Sequence, residues 1–172
     1  MRVNMLRLIA FLSDIFGKLA AWMFFAIGAM ITYEVVARYV FLAPTIWAEE
    51  MSRFFQLWAV YLATAYVLKH KNLIRITLLV DRLGDRGRRW AEALTLAWVA
   101  IFSGIAIWYG MVIMIDSIVL GRVSSTMLGV PKWMAEASIP IGFTLLLLQC
   151  LAEGVHLWRG RAVDTGRIEK QL

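Results

Sequence analysis

Glu34 and Arg38 stand four residues apart inside an apolar run, so a helix would place them on one face as an ion pair. A charge inside a membrane helix costs roughly 2.5–3.5 kcal/mol at mid-bilayer. Pairing lowers that cost. The arginine would also hold the carboxylate ionised, which works against proton relay. Further along, Glu49, Glu50 and Arg53 follow Pro44, Thr45 and Trp47. Adjacent carboxylates on a helix point about 100° apart and make a poor acid–base pair. They suit the positive start of a helix better, with Thr45 as its cap and Trp47 as an interfacial anchor. No nucleophile lies beside them in sequence. His70 is flanked by Lys69 and Lys71, and with His156 it offers no paired haem ligands. The one cysteine, Cys150, sits in an apolar run and reads as a packing residue. No phosphate loop, triad pattern or metal-ligand spacing is present, so no cofactor or metal is expected.

The elements that would carry these residues are membrane helices. Of 172 residues, 61% are hydrophobic and the mean hydropathy is +0.70, well above a soluble domain. Four continuous apolar runs are visible, roughly 17–42, 51–68, 90–115 and 134–158. Each approaches the length needed to cross a bilayer. None shows the strict alternation of a barrel strand. The expected fold is an all-α integral membrane protein of four transmembrane helices forming one domain over residues 1–172. Residues 5–16 read as an interfacial segment or an extension of the first span. Residues 72–89 read as an interfacial loop that turns at Gly84-Asp-Arg-Gly87.

Fourteen of the eighteen Lys and Arg residues fall before the first run, between the second and third, or after the fourth. Only Arg38, Arg53, Arg122 and Lys132 fall at the other side. Both termini are therefore expected in the cytoplasm. The net charge of +6 reflects this topology and anionic headgroups rather than nucleic-acid binding.

Helix entrances carry Pro and Trp twice, at Pro44 and Trp47 and at Pro131 and Trp133. Pro140 is expected to kink the last span. Ala93, Ala97, Ala100 and Gly104 form a face of small residues suited to close helix packing, within the chain or on another subunit. Trp58, Trp98 and Trp108 lie deeper than an aromatic belt and suggest lipid-facing or inter-subunit surfaces.

Two segments resemble the small (Q-type) membrane subunit of tripartite ATP-independent periplasmic (TRAP) transporters. One runs Arg38-Tyr-Val-Phe, Pro44-x-x-Trp47-Ala-Glu49-Glu50, Arg53 and Trp58 into a basic turn ending Arg75-Ile-Thr-Leu-Leu-Val-Asp-Arg-Leu83. The other runs Ser125-Thr-Met-Leu-Gly-Val-Pro131-Lys-Trp133, then Ile139-Pro140-Ile-Gly142-Phe. The chain departs from the family at Leu73-Ile-Arg-Ile-Thr77, where His-Ile-Arg-Val-Asp is common, and near Ala63, where a glycine is common. The resemblance implies a non-catalytic subunit in the bacterial inner membrane. Its partners would be a large multi-span membrane subunit, a periplasmic substrate-binding protein and the lipid bilayer. The system would import an organic anion, often a carboxylate, with sodium. On this reading Glu34, Arg38, Trp58, Ala93, Ala97, Ala100 and Gly104 meet the large subunit. Pro44, Trp47, Glu49, Glu50, Arg53, Pro131 and Trp133 shape the outer surface near the docked binding protein. Two other readings stay open: a homodimeric exporter using Glu34 as its coupling carboxylate, and a membrane anchor of a redox complex.

Overall fold

The computed structural model describes residues 2–70, 85–125 and 128–158. They form helices α1 (Arg2–Tyr39), α2 (Trp47–Lys69), α3 (Asp85–Val119), α4 (Lys132–Glu136) and α5 (Ser138–Trp158). Among the described residues the only strand-like feature is an isolated bridge between Val123 and Pro131. Most of the loop expected at 72–89 lies outside the described residues. Of the expected turn at 84–87, Gly84 also lies outside the described residues and 85–87 already belong to α3. The segment 5–16 continues the first helix without a break, making α1 38 residues long.

Among the described residues, three stretches are long and apolar enough to cross a membrane: Leu8–Tyr39, Arg89–Val119 and Lys132–Trp158. Helix α2 carries Glu49, Glu50, Arg53 and Gln56 in its first turns and is less apolar. Its position accounts for this. It lies between α1 and α5 and packs extensively on both. Its neighbours are protein, so it needs less grease than a lipid-facing helix.

The helices stand in the spatial order α1, α2, α5, α3. Helix α2 runs back along α1, since Tyr66 meets Gly17 and Trp47 meets Tyr33. Helix α3 runs antiparallel to α5, with Leu96 against Cys150, Phe102 against Phe143, and Gly110 against Ile139. Residues 2–18, 69–70, 85–96 and 150–158 therefore gather at one end, the terminal end. Residues 39–47 and 119–137 gather at the other, the loop end.

The packing faces are small. Ala20, Ala59 and Leu62 form the central contact of α1 with α2, flanked by Phe16, Met23 and Leu145. At Gly17 and Gly142 the backbones approach so closely that an added Cβ would overlap Tyr66 and Tyr61. Helix α3 buries Glu92, Ser103, Gly110 and Ser117. The last three recur every seven residues, which traces one seam of a left-handed helix pair. This seam, rather than the Ala93–Ala97–Ala100–Gly104 face, faces the rest of the chain. Ala97 and Gly104 are exposed.

Polar bonds fix the register between helices. Ser13 Oγ donates to Gln149 Oε1 at 3.0 Å, and Gln149 Nε2 donates to Glu153 Oε1 at 3.0 Å. Gln149 is 2% exposed, so this chain satisfies an amide that would otherwise be orphaned in a dry interior. At the terminal end Lys69 Nζ donates to Asp14 Oδ2 at 2.6 Å and to the Ala10 carbonyl at 2.9 Å. Pro140 has no N–H to give the Glu136 carbonyl, and the helix breaks just there, at Ala137.

Trp58, expected at a lipid or subunit surface, is half-buried and packs one side against the α1–α2 contact. Its indole N–H donates at 3.1 Å to the Met134 carbonyl, one of those freed near that break. Trp58→Phe is expected to lower stability by about 1 kcal/mol through loss of this bond. Unfolding of the purified chain in mixed micelles is the measurement. Trp98 and Trp108 are exposed, as expected.

Candidate interaction site at the loop end

The residues singled out for chemistry collect at the loop end, on α1, the first turns of α2 and the two loops. Helix α1 stops at Tyr39. The Val40 N–H still reaches the Val36 carbonyl at 2.9 Å and the Ala43 N–H reaches that of Ala37 at 3.0 Å. Between them Leu42 takes φ +52°, a left-handed conformation that turns the chain back.

Glu34 organises that turn. Its Oε1 accepts from Arg38 Nη2 at 2.7 Å and from Arg38 Nε at 3.2 Å. Its Oε2 accepts from the Thr45 N–H at 3.0 Å and from the Thr45 hydroxyl. The expected ion pair is present, and the same carboxylate also closes the loop eleven residues away. Thr45 is therefore not the cap of α2. Its hydroxyl faces back to α1, and α2 starts after Ile46 with no side-chain cap. Glu34 is 7% exposed while the Arg38 side chain is about half exposed at 48%. The loop is buried on the carboxylate side and presents a guanidinium outward.

The next shell sits on α2. Glu49 pairs with Arg53 one turn on, both largely exposed. Trp47 lies 5.9 Å from Tyr33, ring to ring, and Pro44 is exposed beside it. A groove of about 420 Å³ between α1 and α2 is lined by Glu34, Arg38, Glu49, Ser52, Arg53 and Gln56. Five of its ten lining residues are charged or carry an amide.

The second loop closes the site from the other side. The Ser124 N–H donates to the Val130 carbonyl at 2.8 Å and the Lys132 N–H to that of Arg122 at 3.0 Å, making a short hairpin. Gly121 and Gly129, both at φ +58°, supply its left-handed corners. Pro131 is the first residue outside α4, and Trp133 is partly exposed on it. A cavity of about 500 Å³ lies between the two loops, with Pro44, Glu49, Glu50, Arg53 and Pro131 in its walls. The outer-surface residues named from the sequence are thus brought together, except that Trp47 and Trp133 stand outside the cavity wall. Ala93, Ala97, Ala100 and Gly104 lie apart, along α3 towards the terminal end. There Ala97 and Ala100 line a separate apolar groove with Leu151 and Gly154 of α5.

This arrangement of ion pairs, loop ties and anchoring aromatics is suited to holding surfaces. Residues 27–160 match the family model described as "Tripartite ATP-independent periplasmic transporters, DctQ component". The chain belongs to this family. The match runs from the loop-end half of α1 through the end of α5, and so takes in the whole site. A further similarity is to the isethionate TRAP transporter permease protein DctMQ of Oleidesulfovibrio alaskensis (strain ATCC BAA-1058 / DSM 17464 / G20), 26% identical over 141 residues. That alignment covers 77% of this chain and 22% of the relative, so the chain spans about a fifth of that protein's length. With its apolar helices, this DctQ-family chain is a multi-pass membrane component of a transporter.

Two features of the structure were missed from sequence, one in the site and one outside it. One is the Thr45 bond to Glu34, which depends on a non-repeating turn. The other is Gln149, a lone amide in the run Leu145–Leu151, whose polarity was visible but whose partner Ser13 lies 136 residues away.

Proposed function

We propose that this chain is the non-catalytic small membrane subunit of a secondary transporter that imports an organic anion, most simply a carboxylate, using a sodium gradient. It braces a large multi-span subunit and helps to receive a substrate-binding protein at the outer face of the bacterial inner membrane. The observation that carries this reading is the family match across residues 27–160. The permease named DctMQ, in which a stretch similar to this chain makes up 22% of the protein, supports a neighbour of larger size.

In this reading all four long helices cross the membrane. Helix α2 lies between α1 and α5 and crosses with them. The terminal end, with its arginines and lysines, faces the cytoplasm by the positive-inside rule. The loop end faces out. Glu34, Arg38, the polar groove and the open Ala93–Gly104 face meet the large subunit. Pro44, Trp47, Glu49, Glu50, Arg53, Pro131 and Trp133 form the ground on which the binding protein settles. Glu34 already holds four hydrogen bonds, which leaves it poorly placed to cycle protons as an exporter's coupling carboxylate.

Reconstitution tests this. Vesicles containing the large subunit, this chain and the binding protein are expected to accumulate a labelled organic acid when sodium is added outside. Omitting this chain should reduce uptake to background. Uptake by this chain alone, or unchanged uptake without it, would overturn the proposal.

A further inference from the structure

We infer that the cavity between the two loops is a binding site for a phospholipid bearing a primary amine, of the phosphatidylethanolamine type. Arg38 and Arg53, which line this cavity, already have partners in Glu34 and Glu49. Two charges in the same wall are left over, and they are opposite. Glu50 has both carboxyl oxygens shielded from solvent, and among the described residues neither has a hydrogen-bond partner. Lys132 is exposed and forms no ion pair among the described residues. A buried carboxylate without partners is costly. Because no bond holds it where it lies, turning it into the cavity sacrifices nothing but a rotamer.

A zwitterion answers both charges at once. A primary ammonium brings three N–H donors to a carboxylate, and a phosphate accepts from a lysine. A choline headgroup carries the same charge but has no N–H to donate.

The shape favours a lipid over a side chain of a soluble partner. The apolar wall runs along α2 from Ile46 past Met51 and Phe54 to Leu57, with Val130 and Ala135 opposite. That is about 15 Å of helix. The headgroup layer on one side of a bilayer is only about 5–7 Å deep. A cavity that starts at headgroup level therefore continues into the hydrocarbon, where an acyl chain would cover Phe54 and Leu57. A single side chain from water would fill only its mouth. The inference requires that the loop end lie at a membrane surface, and it requires nothing of what the transporter carries.

The test compares two lipids with identical acyl chains on the full chain, delipidated in mild detergent. Native mass spectrometry and the melting temperature are the readouts. Phosphatidylethanolamine is expected to be retained about tenfold more strongly than phosphatidylcholine and to raise the melting temperature more. Glu50→Gln should erase the preference between headgroups without abolishing binding. Lys132→Ala should weaken both lipids alike. Equal retention of the two lipids by the unmodified chain would overturn the inference without relying on any variant. So would an intact preference in Glu50→Gln. Non-additive destabilisation by Glu50→Gln and Lys132→Ala in the absence of lipid would show that the two residues serve each other, and would also overturn it. A failure here leaves the uptake experiment above untouched, and the reverse holds.

Discussion

Gly142→Val is expected to prevent the bundle from closing, at a cost of about 3 kcal/mol or more. Gly142 is buried where α5 crosses α2. A Cβ at that position would stand 2.5 Å from Tyr61 Cβ and 2.7 Å from the Tyr61 carbonyl oxygen. Neither atom can swing aside, since both belong to or adjoin the helix backbone. The two helices would have to separate, and with them the Trp58 bond to Met134 and the Tyr61–Phe143 contact. Size-exclusion chromatography in detergent should show aggregate in place of a single folded species. Gly104→Val is the matched control. Nothing in the chain lies within 4 Å of the Cβ it would add. It should leave the isolated chain folded, and any loss of the large subunit in that variant would assign the α3 face to the partner.

Glu34→Ala is expected to strip most of the large subunit from the purified complex while leaving the four-helix chain folded. One carboxylate holds both Arg38 and the loop residue Thr45. Its removal leaves a guanidinium near the membrane without a counter-charge and frees the turn at residues 40–46. Breaking one member of such a set is worse than removing both charges. Glu34→Leu combined with Arg38→Leu should therefore recover more complex than Glu34→Leu alone. Thr45→Val, which keeps the backbone N–H bond, should fall between them and the unmodified protein.

Which parts of this molecule could be read from its residues follows from the range of the interactions. The Glu34–Arg38 pair was legible because helical spacing of four is local. The apolar runs announced the long helices for the same reason. The boundaries shifted where local chemistry was subtler: α2 begins four residues before the apolar run at Met51, since Glu49 and Glu50 belong to its first turn. The order α1, α2, α5, α3 was not legible, because it rests on contacts such as Ser13 with Gln149. Which face of α3 packs within the chain was not legible, because two small-residue patterns share that helix. Ala93, Ala97, Ala100 and Gly104 are the denser one. The sparser pattern, Ser103, Gly110 and Ser117, is the one α5 and its neighbours cover. Density of small residues invites close packing without saying which helix accepts it.

Trp58 carries the same lesson in reverse. A tryptophan deep in a span looks like a lipid or subunit anchor. Here the proline-induced break at Ala137 leaves carbonyls in need of donors, and an indole N–H one helix away supplies one. The break and its donor are 76 residues apart, so neither predicts the other.

The claim on which the account rests is that this chain works as one part of a larger membrane complex. The most direct measurement is affinity purification of the tagged chain from its native membrane in mild detergent, followed by mass determination of what comes with it. An equimolar large multi-span subunit that stays bound through size exclusion is the expected result. A chain that elutes alone, or only with copies of itself, and still moves solute across vesicles would contradict it.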